Sequence, residues 1–325
     1  MLLIAFGGPH GPQDVRPFLA NVLRGRRVAP GRVEEVAHHY EHFGGVSPLT
    51  ELTRAQADGL DKRLRAAGLD LPVFVGMRNW HPFLADTLAA MARAGSRRAI
   101  GFIAAAHRSY SGCLQYRENV REARATLAEK GLPDIEIVYV GDWHTHPGYI
   151  EASAQEAERA VRSLPDSVRS RATLVFTAHS IPGSMAARYP YEEQYLATAR
   201  LIADSVRART SLALPHVAVY QSRSGRPEDP WLGPDICDFL RQQKDAGTLE
   251  AAVIVPAGFI CDHVEVLYDL DTEAATVCRE IGLPMVRARA VNDHPLFLDM
   301  MAEVVQETVR RYAGTRPLPL ATLHP

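Results

Sequence analysis

LVFTAHSIP, residues 174–182, runs an unbroken apolar stretch into a histidine, a serine and a proline. A short apolar run closed by a turn signal is the pattern of a strand buried on both faces, as parallel sheets require. The chain opens on the same design with LLIAFGGP, residues 2–9. Between and beyond these two stretches, β-branched runs at Pro72–Gly76, Arg98–Ile103, Ile135–Val140, His216–Tyr220, Ala251–Val255 and Met285–Arg289 read as further strands. Amphipathic segments separate them, at Thr50–Ala67, Pro82–Ala94, Leu114–Lys130 and Glu192–Val206. Alternation of this kind predicts an α/β chain with parallel sheets covered by helices. The polar stretch Leu164–Arg171 divides the strands into two sets of four. The expected organisation is two similar doubly wound lobes, residues 1–165 and 172–291, with a cleft between them. Residues 292–325 add a helix from about Pro295 to Tyr312 that packs back on the first lobe, then a Pro-rich tail, Thr315–Pro325.

A chain of 325 residues, 46% apolar and 23% charged, has the balance of a globular protein with a large core. Lys and Arg total 36 against 38 Asp and Glu, so no overall field favours nucleic acid or an acidic membrane. The longest apolar run, AAVIVPAGFIC at 251–261, is too short to span a bilayer. MLLIAFGGP lacks a basic leader and reads as a buried first strand rather than a signal peptide. Cys113, Cys237, Cys261 and Cys278 lie far apart with no CxxC spacing, which fits a reducing cytoplasm.

Ligands of open α/β sheets sit beyond the carboxyl ends of the strands, so the residues after each strand are the candidates. His179 ends one strand: it reads as a metal ligand or proton acceptor, or else as a ring capping the next helix. In PAGFICDHVEVLYDLDTE, 256–273, a helix starting near Asp262 would place Glu265, Asp269 and Glu273 on one face. Stacked like charges repel, so the row is either a solvated face or a line of oxygen ligands for a hydrated divalent cation. Glu265 lies among Val264, Val266 and Leu267 at the buried start of the segment, which favours the second reading. Asp262 and His263 read either as a network orienting these groups or as a structural pair. YEHFGGVSPL, 40–49, offers Tyr40 and Ser47 to a carboxylate across a tight turn, or is an ordinary loop. VGMRNWHP, 75–82, offers Arg78 to a carboxylate and Met77 and Trp80 to a planar ring, although Met and Trp are more often core. YQSRSGRPEDPWLGPD, 220–235, lacks the lysine spacing of a phosphate loop and reads as structural. No HExxH, GxSxG, GxGxxG or GxxxxGK[ST] pattern occurs, which weighs against zincins, α/β-hydrolases, dinucleotide enzymes and P-loop NTPases.

Taken in order, FGGP, YEHFGGVSPL, VGMRNWHP, FTAHSIP, YQSRSG with PWLGPD, and GFICDHVEVLYDLD resemble the ferrochelatases across roughly residues 1–310, most closely the bacterial enzymes of Gram-positive and actinobacterial type. The resemblance implies two Rossmann-like lobes with a porphyrin in the cleft. It implies His179 and Glu265 as the catalytic pair, and both with Asp269 and Glu273 as metal-binding residues. For the porphyrin it implies Phe6, Arg24, Tyr40, Ser47, Met77, Arg78, Ser180, Asp262 and His263. Phe6 stands where some bacterial members carry a tyrosine, so it is a pocket residue rather than a ligand. Leu23 and His39 stand where they carry basic propionate contacts, a role left to Arg24 or Arg26. Cys113 in SYSGCLQY falls near a cluster ligand of iron–sulfur members, but no cysteine follows Cys278, so no iron–sulfur cluster and no bound cofactor are expected. Ferrous iron is a substrate. The expected function is iron insertion into coproporphyrin III in haem biosynthesis. The alternatives are protoporphyrin IX as the ring, insertion of cobalt or nickel into another tetrapyrrole, or a non-catalytic porphyrin or haem carrier. The expected state is a cytoplasmic monomer with no nucleic-acid partner and no integral membrane association.

Overall fold

In the computed structural model, which describes residues 1–25, 31–224 and 228–314, the strands form two separate four-stranded sheets. The first contains β1 (Leu2–Ala5), β2 (Phe74–Met77), β3 (Arg98–Ile103) and β4 (Glu136–Tyr139). The second contains β5 (Ala172–His179), β6 (His216–Gln221), β7 (Ala251–Val255) and β8 (Met285–Arg287). Every pairing is parallel. The strand orders are β2-β1-β3-β4 and β6-β5-β7-β8, the same order twice.

This repeated order fixes where a site can form. In each sheet the first strand lies between the second and the third, so the connections on its two sides run in opposite directions. A crevice opens at that switch point, beyond the carboxyl ends of the two central strands. The first sheet therefore exposes the segments after β1 and β3, and the second those after β5 and β7.

The helices are α1 (Val15–Val22), α2 (Arg32–His42), α3 (Leu49–Ala66), α4 (Leu84–Arg93), α5 (Gln115–Glu129), α6 (Pro147–Ser163), α7 (Asp166–Arg169), α8 (Gly183–Ala186), α9 (Tyr191–Thr210), α10 (Ile236–Asp245), α11 (Val264–Val266), α12 (Ala275–Glu280) and α13 (Pro295–Gly314). Two π-helices interrupt the pattern, at Tyr110–Leu114 and Leu267–Ala274. Of the central strands, β1 and β7 are buried completely and β5 in all but its last residue, because helices cover both faces.

One hydrophobic core runs through both lobes, joining Leu3 and Phe102 of the first to Phe176 and Val255 of the second. Helix α13 covers the segment Pro295–Tyr312 read as helical, and it contacts α3. Leu298 fills the space beside Gly59, where a Cβ would meet its Cδ1 at 2.5 Å, and Asp299 accepts from Arg63 Nε at 2.5 Å. Its other side rests on α6, with Phe297 5.9 Å from the Tyr149 ring. Helix α6 falls inside residues 1–165, which the sequence reading gives to the first lobe, but its contacts are with α9, β7 and β8 as well as α13. The tail Thr315–Pro325 lies outside the described residues.

Candidate active site

His179 is the last residue of β5. The seven residues before it are buried and the histidine itself is only partly so. Its Nδ1 is 2.5 Å from the carbonyl oxygen of Ser180. A carbonyl only accepts, so Nδ1 carries a proton, and in a neutral ring the lone pair falls on Nε2. The carbonyl of His179 in turn accepts from the Tyr191 hydroxyl at 2.9 Å, which fixes the strand end behind the ring.

Segment 256–265 leaves β7, the strand beside β5 at the switch point, and lies close against it. The Gly258 amide donates to Thr177 O at 2.9 Å, and a Cβ on Gly258 would come within 2.5 Å of the Ala178 Cα. Only glycine allows that approach, which brings the start of the segment onto the end of the His179 strand. The electrostatics show the crowding. Burial lowers the His263 imidazole, Glu265 and Asp262 pull it back up, and His179 depresses it further. Glu265 is partly exposed, between buried Val264 and Val266.

The helix expected from Asp262 onward is of another kind. Three α-helical residues, α11, lead into eight of π-helix. A π-helix closes each turn one residue later than an α-helix, and runs beyond a single turn are rare and favour functional sites. Spacing by four suits either winding, so the acidic row survives the change. Burial raises the Asp269 carboxyl to about 7, and Glu265 and Glu273 add to the rise. The Ser222 hydroxyl and Gln221 Nε2 oppose it by donating to Asp269 Oδ2, the latter at 3.2 Å. Burial likewise raises Glu273. A cavity of about 450 Å³ opens beside Asp269 and Glu273, with Asp235 and Arg241 on its wall.

The facing wall comes from the first lobe. The Arg78 guanidinium lies 5.9 Å from the Phe6 ring centre and 5.5 Å from that of Tyr116. Phe6 follows β1, where Gly7 at φ 85 turns the chain back: a Cβ there would press on Met77 Cβ at 3.1 Å and Trp80 N at 3.0 Å. Burial raises the phenols of Tyr40 and Tyr116, the second to about 12, and the Glu265 charge contributes to both. The Glu265 carboxylate is therefore near enough to both tyrosines for its charge to act on them. The His39 ring stacks on Tyr268 at 3.6 Å and 12°, and Val264 is buried among Phe18 and Tyr40. These contacts join α2 to the π-helix at one end of the cleft.

Electrostatic coupling thus links Glu265 to His263, Tyr40, Tyr116 and Asp269, and His263 to His179, while Arg78 lies over the rings of Phe6 and Tyr116. Other expected contacts are held elsewhere. Met77 has no exposed surface, because its side chain points into the core beneath Gly7. Ser47 is 3% exposed, and a Cβ on Gly8 would lie 2.8 Å from its hydroxyl, so it is packed beneath that loop. Ser180 is buried and donates to Leu232 O at 2.7 Å. Asp262 accepts from Arg287, the Ala290 amide and Asn292 Nδ2, which makes it part of the frame rather than of the open wall. Arg24 is exposed and donates to Asn21 Oδ1 at 2.7 Å. Arg26 and residues 225–227 lie outside the described residues. Among the described residues, no three His, Cys, Asp or Glu side chains converge to hold a metal ion. Sequence reading missed Tyr116, Tyr268 and Arg287. Tyr116 closes the SYSGCLQY segment and lies in the first turn of α5, where the sequence offers no signal for it.

A family model described as Ferrochelatase matches residues 1–309. A relative named ferrochelatase from Rhodopirellula baltica is 48% identical over 94% of this chain and 85% of its own length. One named coproporphyrin III ferrochelatase from Streptomyces coelicolor is 46% identical over 99% of this chain and 88% of its own. Among solved structures, SirB from Bacillus subtilis with Fe3+ superposes at TM-score 0.58 and 10% identity, covering 97% of each chain. At that identity the likeness extends to the fold alone.

Proposed function

The chain belongs to the ferrochelatase family, and on that premise we propose that it inserts ferrous iron into coproporphyrin III, with His179 and Glu265 as the catalytic pair. Relatives bearing the coproporphyrin name support the choice of ring, among them a Nocardia farcinica protein 44% identical over 97% of this chain. The observation that carries the catalytic assignment is the His179 ring itself. Its Nδ1 is committed to Ser180 O, so Nε2 is the ring nitrogen left to act as a base or ligand.

Insertion releases two pyrrole protons for each iron taken up. His179 Nε2 and the Glu265 carboxylate accept them, each acting as a positioned base. Iron reaches the pair along Asp269 and Glu273, whose oxygens suit a hydrated divalent cation. With its carboxyl near 7, Asp269 can hold either a proton or a cation at neutral pH. Phe6 and Tyr40 offer apolar faces to the ring, and Arg78 offers its guanidinium to a propionate. All four cysteines are unpaired, which supports placing the enzyme in the reducing cytoplasm. Among the described residues, no helix is long and apolar enough to cross a membrane.

The test is anaerobic mixing of the protein with Fe2+ and either coproporphyrin III or protoporphyrin IX, following loss of free-porphyrin absorbance. Faster conversion of coproporphyrin is expected. The His179→Ala variant is expected to bind the ring and to lose at least about a hundredfold in rate. Preference for protoporphyrin would overturn the choice of ring, and binding without turnover of either would leave a carrier.

A further inference from the structure

Arg287 ends β8, an edge strand of the second sheet, and its side chain is only 12% exposed. It grips Asp271 with two parallel bonds, Nε to Oδ1 at 2.6 Å and Nη2 to Oδ2 at 2.8 Å. Its remaining arm, Nη1, donates to Asp262 Oδ1 at 2.7 Å and to Ala288 O at 3.0 Å. Asp271 lies within the π-helix and Asp262 lies just before α11. One guanidinium therefore ties the acidic segment at its entry and in its middle, with Glu265 and Asp269 on the span between.

The entry is held from a second side as well. Asn292 Nδ2 donates to Asp262 Oδ2 at 2.8 Å, and Asn292 Oδ1 accepts from the Asp262 amide at 2.9 Å. Gln56 Nε2, from the first lobe, donates to Asn292 O at 2.8 Å. The frame around Asp262 is therefore rigid, and Arg287 transmits that rigidity to Asp271.

We infer that Arg287 is a positioning residue: by holding Asp262 and Asp271 at once, it fixes the winding of the π-helix and so the spacing of Glu265, Asp269 and Glu273 along the metal path. The inference rests on the chelatase reading above and adds a residue that touches neither metal nor ring. The geometry gives the reason. An α-helical turn closes one residue earlier than a π-helical turn, so a return to ordinary winding would rotate Asp271 off the strand and break the paired bonds. A lysine could reach one carboxylate as a point charge but could not span both.

Two variants test it, Arg287→Lys and Asp271→Asn, neither of which removes a group from the cleft. Hydrogen exchange of amides 264–274 is expected to quicken in both, while the β5 and β7 amides keep the parent rates. Coproporphyrin affinity, read by fluorescence quenching, is expected to match the parent. The ratio kcat/KM for Fe2+ is expected to fall about 10- to 100-fold, as when partners orienting a metal site are lost, and Asp271→Glu should recover part of it. Faster exchange with unchanged kcat/KM would overturn the inference. So would a fall in iron kinetics and ring affinity together with the melting temperature, the mark of general destabilisation. An inactive parent would instead refute the chelatase reading, while the exchange data would still report whether Arg287 holds the helix.

Discussion

Replacing Asp269 by Asn is expected to make the folded protein more stable in neutral and alkaline buffer. The parent carboxyl rises from an ordinary value of 3.8 to about 7 on folding, chiefly through burial. A rise of about three pH units at roughly 1.4 kcal/mol each amounts to about 4 kcal/mol. The folded state binds this proton more tightly than the unfolded chain does. Parent stability therefore falls as pH climbs from about 4 to about 7, then stays level. The full cost is present above pH 7, where both states are ionised. Asparagine has the same shape, can still accept from Ser222 and Gln221, and carries no charge. The variant should thus exceed the parent by up to about 4 kcal/mol at pH 8 and by only about 2 kcal/mol at pH 5. Urea unfolding at the two pH values reads both differences directly. A variant no more stable than the parent at pH 8, or a gap of equal size at both, would refute the reasoning. Iron turnover should fall in the same variant, because an uncharged amide is a poorer ligand for a hydrated cation.

Two further substitutions probe the cleft. Gly258→Ala forces a methyl group onto the Ala178 Cα; calorimetry should find about 1–3 kcal/mol of lost stability, with slower iron insertion because the His179 strand end must move. Val264→Ala withdraws a buried contact with Phe18 and Tyr40; it should cost about 1–2 kcal/mol and weaken porphyrin binding, and an unchanged ring affinity would show that this contact does not shape the cleft.

The architecture was legible because each strand announces itself. AAVIV at 251–255 and RAIGFI at 98–103 are apolar runs between turn signals, and both form the strands expected of them. The position of His179 was legible for a related reason: LVFTAHSIP reads as a strand ending on the histidine, which is where β5 ends. Strand-end position does not say which face a side chain takes, however. In a sheet covered on both sides Met77 could turn inward as readily as outward, and it turned inward. Nor does position say that Ser47 and Ser180 are buried, the first packed beneath Gly8 and the second bonded to Leu232 O. The π-helix was invisible because acidic residues four apart fit either winding. Arg287 belongs to a strand with no motif, and only the fold brings it to Asp271.

Helix α13 rests on α3 from one half of the chain and on α6 beside the other. It also follows both sheets in sequence, so during synthesis it leaves the ribosome after everything it joins. Each sheet draws only on strands from its own half of the chain, but the pairing of Leu298 with Gly59 and of Asp299 with Arg63 spans both halves and must wait. The cleft therefore acquires its final geometry late in biogenesis. A half-made chain exposes the acidic row without the clamp that sets the two lobes against each other, and competence to bind the ring should appear as a single late step.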